Sequence, residues 1–235
     1  VQALALAGHA EEVVATDVDD RALGFAAFTA AISGRRWDLR RGDLFEPVAE
    51  ERFQRIVCNP PFVISPTRRY LFRDSGERGD AFCRRLIRTA VEYLTPGGFL
   101  HLTANAPHRV GHAWQSDLQE WFAGLGCDAL VLADRTEEVS DYALSWILST
   151  ETKDAAEVGR LYEEWMDYYQ RERIEAVTYV TITLRRSVQE RTWVQIDDPP
   201  CRIVGPCGEQ VAQFFAWRDA FAAAPGVEAW WNRRL

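Results

Sequence analysis

The sequence predicts an α/β fold built on a largely parallel sheet. Three observations carry that prediction. Short apolar runs alternate with helix-spaced amphipathic runs across residues 12–149. Polar residues stand at the ends of three successive strand-like runs, where open α/β sheets hold their ligands. The length of 235 residues, with 47% apolar and 26% charged side chains, suits one substantial domain with at most a small appendage.

Each element follows from local pattern. Residues 1–9 read as the end of a helix capped by Gly8. The run from Glu12 to Asp17 is a short buried strand ending on an acid, and residues 19–33 form an Ala-rich helix stopped near Gly34. A second strand fits residues 37–41, followed by Gly42-Asp43-Leu44-Phe45. Residues 53–58 form a third strand, broken by Asn59-Pro60-Pro61. Residues 63–79 are polar and Arg-rich and are expected to loop over the site. Residues 80–94 show helical spacing of Phe82, Leu86, Ala90 and Leu94, with Arg on the other face. Pro96-Gly97-Gly98 turns into a strand over 99–104. A helix at about 114–124, a strand at 129–133 and a helix at about 139–149 complete the alternation. Residues 153–173 then predict a long charged helix, and 176–185 an antiparallel strand that closes the parallel sheet. The tail carries a helix-like run at 208–223. The expected division is a main domain over 1–190 and a C-terminal extension over 191–235, acting as a lid or an interface.

Composition excludes several classes. No apolar run approaches the ~18 residues of a membrane-spanning helix, and the N-terminus lacks the pattern of a signal peptide. Five Cys without a CxxC pair suit reduced thiols, so a soluble cytoplasmic protein without membrane partners is expected. The net charge of −8 counts against nonspecific binding of a polyanion over the whole surface, though not against a local basic patch. Lys153 is the only lysine; the Arg bias is most simply a matter of G+C-rich codons.

The strand ends carry the chemistry. Asp17 can accept hydrogen bonds from ribose hydroxyls or simply cap the next helix. Asp43 can accept from an adenine amino group while Leu44 packs on the ring, or serve only its turn. Asn59-Pro60-Pro61-Phe62 is more specific. Two prolines supply no N–H, so the chain can neither extend the sheet nor start a regular helix, and Asn59 is held extended. An Asn oxygen, a backbone carbonyl and an aromatic face suit a planar –NH2 group, whose two hydrogens take the two acceptors while its plane stacks on the ring.

These segments, ATDVD at 15–19, GDLF at 42–45 and NPPF at 59–62, resemble the S-adenosylmethionine-dependent class I methyltransferases that modify planar amino nitrogens. Release-factor glutamine methyltransferases and small-domain ribosomal-RNA guanine methyltransferases are the most similar families, over about residues 1–150. The resemblance implies a Rossmann-like domain with S-adenosyl-L-methionine as cofactor. It implies that Asp17 binds the ribose, Val18 packs on the adenine, and Asp43 and Leu44 hold the adenine edge and face. Asn59 and the Pro60 carbonyl would orient the acceptor nitrogen, with Pro61 shaping the turn and Phe62 as the stacking wall. The family's glycine-rich loop after the first strand is absent, so the domain is expected to begin upstream of Val1. The expected activity is N-methylation of a protein glutamine amide or a nucleic-acid base, so the expected partner is protein or RNA. A small-metabolite methyltransferase and a catalytically inactive binding or scaffold module are the alternatives.

Other clusters have plain readings. Arg68, Arg69, Arg73, Arg78, Arg84, Arg85 and Arg88, with Tyr70 and Phe72 between them, could form a rim for a phosphate backbone. Asp74, Glu77 and Asp80 among them make a salt-bridged surface equally well. His108 and His112, or Cys201 and Cys207, lack the further ligands of a metal site, and none is expected. Trp165, Tyr168, Tyr169, Trp230 and Trp231 read as packing or interface residues.

Overall fold

A computed structural model describes residues 2–189, 191–199 and 205–223. Helix α1 (Gln2–Leu6) leads into strand β1 (Val14–Asp17), helix α2 (Asp20–Ile32) and strand β2 (Asp38–Arg41). The two strands pair in parallel, with α2 as their crossover. Asp19 caps α2 by accepting from the Arg21 N–H, which satisfies one of the free donors of the first turn. The helix is apolar on every side, and Phe25, Phe28 and Ile32 stay exposed.

The main sheet follows. Strand β3 (Phe53–Cys58), helix α3 (Ala81–Glu92), strand β4 (Leu94–Arg109), helix α4 (Trp114–Gln119) and strand β5 (Cys127–Glu138) come in chain order. Helices α5 (Val139–Thr150) and α6 (Ala155–Glu172) form a hairpin before strand β6 (Ile174–Arg186) and strand β7 (Val194–Asp197). The sheet order is β3-β4-β6-β5-β7. β3 with β4 and β5 with β7 pair in parallel, and β6 is antiparallel to both its neighbours. One reversed strand in an otherwise unidirectional sheet is the arrangement expected for residues 176–185.

Two cores lie on opposite faces of this sheet. Leu100, Leu102, Ala104 and Ala106 of β4 join Val180, Ile182 and Leu184 of β6 under α3 and α4. Val177, of opposite parity on β6, belongs to the second core with Tyr142 of α5 and Trp165 and Tyr169 of α6. The faces alternate because successive strand side chains do.

Several elements depart from the expected bounds. The Pro96-Gly97-Gly98 segment is a bulge inside β4: Leu94 pairs with Phe53, and pairing then resumes between Phe99 and Arg55. Gly98 is required there, because a Cβ would stand 2.9 Å from the Thr95 carbonyl and 3.0 Å from that of Phe53. Helix α4 stops at Gln119, since Gly124 and Gly126 turn the chain with positive φ before β5. Strand β5 runs past 133 to Glu138 because β6 continues beside it. β7 lies beyond residue 190 and still pairs with β5.

The chain divides into two compact units, Val1–Asp198 and Pro199–Leu235. Within the second, helix α7 (Gly208–Ala222) buries Phe215, whose ring meets Phe214 edge-on. Cys201, Trp230 and Trp231 lie outside the described residues. Among the described residues, no helix is long and apolar enough to cross a membrane.

Candidate active site

β3 and β4 end at different heights, and that step makes the site. Cys58, the last residue of β3, pairs with Leu102, while β4 continues beside β6 to Arg109. Two prolines stop β3 there because they offer no donors to the ladder. Asn59 is left exposed on the step, and Pro60 behind it is buried. The Thr103 hydroxyl, on the continuing part of β4, donates to Asn59 Oδ1 at 2.6 Å. Phe62 packs partly buried between the two cores.

The segment expected to loop over the site is instead a strap built into the protein. Val63, Ile64 and Ser65 are buried. The Ile64 N–H donates to the Tyr142 hydroxyl at 3.1 Å, and the Tyr169 hydroxyl donates to the Ile64 carbonyl at 2.8 Å. The strap turns back through a hydrogen bond from the Val63 N–H to the Arg73 carbonyl at 3.2 Å. Arg73 and Asp74 beneath it are fully buried. The Asp74 carboxylate accepts from Ser65, Thr67, Arg73 and the N–H groups of Arg69 and Tyr70. Burial alone would raise its pKa, but these hydrogen bonds outweigh burial and hold it low. Arg73 also pairs with Glu151 at 2.9 Å and lies over the rings of Tyr70 and Trp165.

Five of the seven arginines after the motif pair with acids, some within the segment and some at the end of α5 or on α6. Arg69 pairs with Glu151, Arg78 with Glu172, Arg84 with Asp80 and Arg85 with Glu77. Of the two readings open from the sequence, the salt-bridged surface describes these side chains.

The other strand-end residues form their own group. The Gly42 N–H donates to the Asp17 carbonyl at 3.1 Å, and the Thr16 hydroxyl to the Leu44 carbonyl at 2.9 Å. These bonds bring Asp17, Val18, Asp43 and Leu44 to one place. Asp17 does not cap α2; its Oδ1 accepts from the Asp19 N–H in a local turn. Asp17, Val18 and Asp43 are exposed, and Leu44, with φ 47°, leans on the first core. Leu44 and Phe62 pack against the same core, and no direct contact joins Asn59 to either acid among the described residues.

Titration narrows the chemistry. Burial pushes the Cys58 thiol, next to Asn59, up to about 11, so it is not a thiolate nucleophile at neutral pH. Burial also lowers His101 and His108 below the ordinary imidazole range. His108 contacts Thr178 and stacks on Trp114, while His112 contacts Asp117. Among the described residues, no three His, Cys, Asp or Glu side chains gather as a metal site would need.

Thr103 and Tyr142 carry no signal in the sequence, and Tyr169 reads there only as a packing or interface residue. They lie 44, 78 and 105 residues from their partners, and no local pattern signals such a pairing.

Known proteins match part of the chain. The release factor glutamine methyltransferase of Geobacter sulfurreducens is 38% identical over 103 residues, covering 39% of this chain and 36% of that protein. The ribosomal RNA small subunit methyltransferase C of Alcanivorax borkumensis is 36% identical over 100 residues, covering 43% and 27%. The ribosomal protein uL3 glutamine methyltransferase of Bradyrhizobium diazoefficiens is 38% identical over 100 residues, covering 37% and 31%. The chain thus spans about a third of the length of these relatives. Residues 1–126, more than half of the chain, match the methyltransferase small domain. That stretch contains both strand-end acids and the whole Asn59-Pro60-Pro61-Phe62 run, and the chain belongs to the methyltransferase small domain family.

Proposed function

We propose that this chain belongs to an S-adenosylmethionine-dependent N-methyltransferase acting on a planar amino group. The observation that carries the reading is the exposed Asn59 side chain on the step between β3 and β4, backed by a buried strap. Asp17, Val18 and Asp43 fit the nucleoside half of the cofactor: two exposed carboxylates can accept from a ribose diol and an amino group, and Val18 offers an apolar surface, 45% exposed, to a ring. When bound, the cofactor supplies a methyl group already made electrophilic by its sulfonium.

The protein's task is to prepare the acceptor nitrogen, whose lone pair is delocalised into an amide or base. The Asn59 carboxamide oxygen has two lone pairs, so it can accept from Thr103 and from one hydrogen of the acceptor –NH2. The Pro60 carbonyl takes the other hydrogen. Both bonds favour a pyramidal nitrogen with its lone pair aimed at the methyl group, and both stabilise the positive charge that develops there. With the cofactor held by Asp17, Val18 and Asp43, Asn59 and the Pro60 carbonyl would keep the acceptor nitrogen aligned to take the methyl group the cofactor supplies, and the extra proton would leave nitrogen for water. Phe62 stacks on the acceptor plane.

A protein glutamine amide is the favoured acceptor, because five of the seven arginines after the motif are paired with acids, which reduces the positive charge offered to a phosphate backbone. The test is incubation with methyl-labelled S-adenosylmethionine and, separately, a release factor, ribosomal protein uL3 and small-subunit ribosomal RNA. Label on a glutamine of either protein is the expected result. Label on RNA alone replaces the amide by a base as acceptor. No label, with no binding of S-adenosylhomocysteine, favours an inactive binding module.

A further inference from the structure

We propose that the hydroxyls of Tyr142, Tyr169 and Thr103 are positioning groups that set where the acceptor-holding atoms of residues 59–62 stand. The inference rests on the methyl-transfer reading above. The motif cannot place itself. Its two prolines remove the donors that would tie it into a sheet or helix, and Asn59 is exposed. Its placement must come from its flanks and from whatever touches Asn59.

The carboxyl-terminal flank is held at one peptide-bearing residue from two directions. Ile64, two residues past Phe62, has its N–H on the Tyr142 phenol and its carbonyl on the Tyr169 phenol. Tyr142 comes from α5 and Tyr169 from α6, so the helix hairpin grips both polar groups of one backbone residue. The two phenols are 0% and 1% exposed, and their rings meet at nearly right angles. Tyr142 is also tied to the sheet, since Asn105 Nδ2 on β4 donates to it at 2.6 Å. Thr103, two residues earlier on β4 and on the same face as Asn105, holds the Asn59 amide. One strand and one helix hairpin thus fix both ends of the motif. Burial raises both phenols above their ordinary range, so the clamp stays protonated through the neutral range.

The test uses Tyr169→Phe and Thr103→Val, each alone and combined with Asn59→Ala, in the full chain. Tyr142→Phe strands two buried donors and is the variant most exposed to misfolding, so the other two carry the test. Initial rates are measured at saturating S-adenosylmethionine with whichever of the release factor, uL3 or small-subunit RNA takes the label. A misplacement near 1 Å costs about 100-fold in rate. The expected result is a fall in kcat of roughly 30-fold for Tyr169→Phe and roughly 5-fold for Thr103→Val, on the order of that cost or below it. S-adenosylhomocysteine affinity stays within about 2-fold in each case, as uniform binding is untouched. In the Asn59→Ala background, Thr103→Val lowers the rate no further, because the group it positions is gone, whereas Tyr169→Phe still does, because the Pro60 carbonyl and Phe62 remain. Folded variants with parental kcat, or a Thr103→Val loss that is the same in both backgrounds, overturn the inference. Parental activity in Asn59→Ala alone overturns the methyl-transfer reading instead. Amide exchange at residues 62–64 separates the two without any acceptor: it quickens in Tyr169→Phe if the clamp is real, and unchanged exchange rejects it.

Discussion

The two halves of the candidate site are built on opposite terms. The Asp17 and Asp43 side chains are exposed, and β1 is joined to the turn after β2 by one backbone bond, Gly42 N–H to the Asp17 carbonyl, and one from the Thr16 hydroxyl. In residues 64–74 the buried Ser65, Arg73 and Asp74 side chains and the Ile64 backbone are already engaged, by partners up to 105 residues away. Polar groups left open at strand ends are available to a ligand, whereas groups paired in a low-dielectric interior hold the chain in one shape. Substitutions in the first region should weaken binding and leave folding intact. Those in the second should damage folding or placement.

The sharpest way to break this contrast is Arg73→Met. It leaves Asp74 and Glu151, both with almost fully buried carboxylates, without their shared cation. Removing one partner of such a group costs about 3–5 kcal/mol, which a chemical denaturation midpoint will register. A loss below 1 kcal/mol would mean the strap is not held by this network. Next comes Asn59→Ala, for which loss of one preorganised hydrogen-bonding group predicts a rate lower by about 100- to 1,000-fold. Stability and S-adenosylhomocysteine affinity should change little, because Asn59 is exposed. Turnover equal to the parent would reject its role.

Asp17→Ala and Asp43→Ala test the open half. Each should weaken S-adenosylhomocysteine binding about 10-fold, the value of one hydrogen bond to a charged group, with the thermal midpoint within a degree or two. Isothermal calorimetry and a thermal scan on the same samples decide it, and a large stability loss with unchanged affinity would reverse the comparison. The smallest effect is a pH dependence on the clamped side. His101 stands on β4 two residues before Thr103, and burial lowers both it and His108. A depressed imidazole means the unfolded chain binds the proton more tightly, so stability is full above the ordinary value of about 6.5 and declines as pH falls through it. The thermal midpoint should drop between pH 7.5 and 5.5, and less steeply in His108→Gln; a flat profile would contradict the assignment.

Much of the fold was legible because it is written in local periodicity. The β1–α2–β2 unit, the apolar row Phe82, Leu86 and Ala90 of α3, and the reversed strand near 176–185 all fell within a few residues of their observed positions. The misread parts were those where a neighbour overrides local pattern. β5 runs on because β6 lies beside it, the Pro96-Gly97-Gly98 segment is absorbed as a bulge because β3 pairs on both sides of it, and β7 forms because β5 offers an edge. Residues 63–79 looked like a surface loop since Arg, Ser and Asp are ordinarily exposed. Here Ser65, Arg73 and Asp74 are buried because each finds a partner in the same turn or at the end of α5, while Arg68, Arg69 and Arg78 stay exposed.

Residue order alone determined the components of the candidate site: two prolines after an apolar strand end its ladder at Cys58, Asp17 ends β1, and Asp43 sits in the turn after β2, in a two-stranded sheet apart from that of β3. Only the tertiary structure decided how that site is held. Hydrogen bonds from Thr103 to Asn59, and between Ile64 and the phenols of Tyr142 and Tyr169, join residues 44 to 105 positions apart. Contacts of that span leave no trace in local sequence, because they exist only once the sheet and the helix hairpin have closed around the chain.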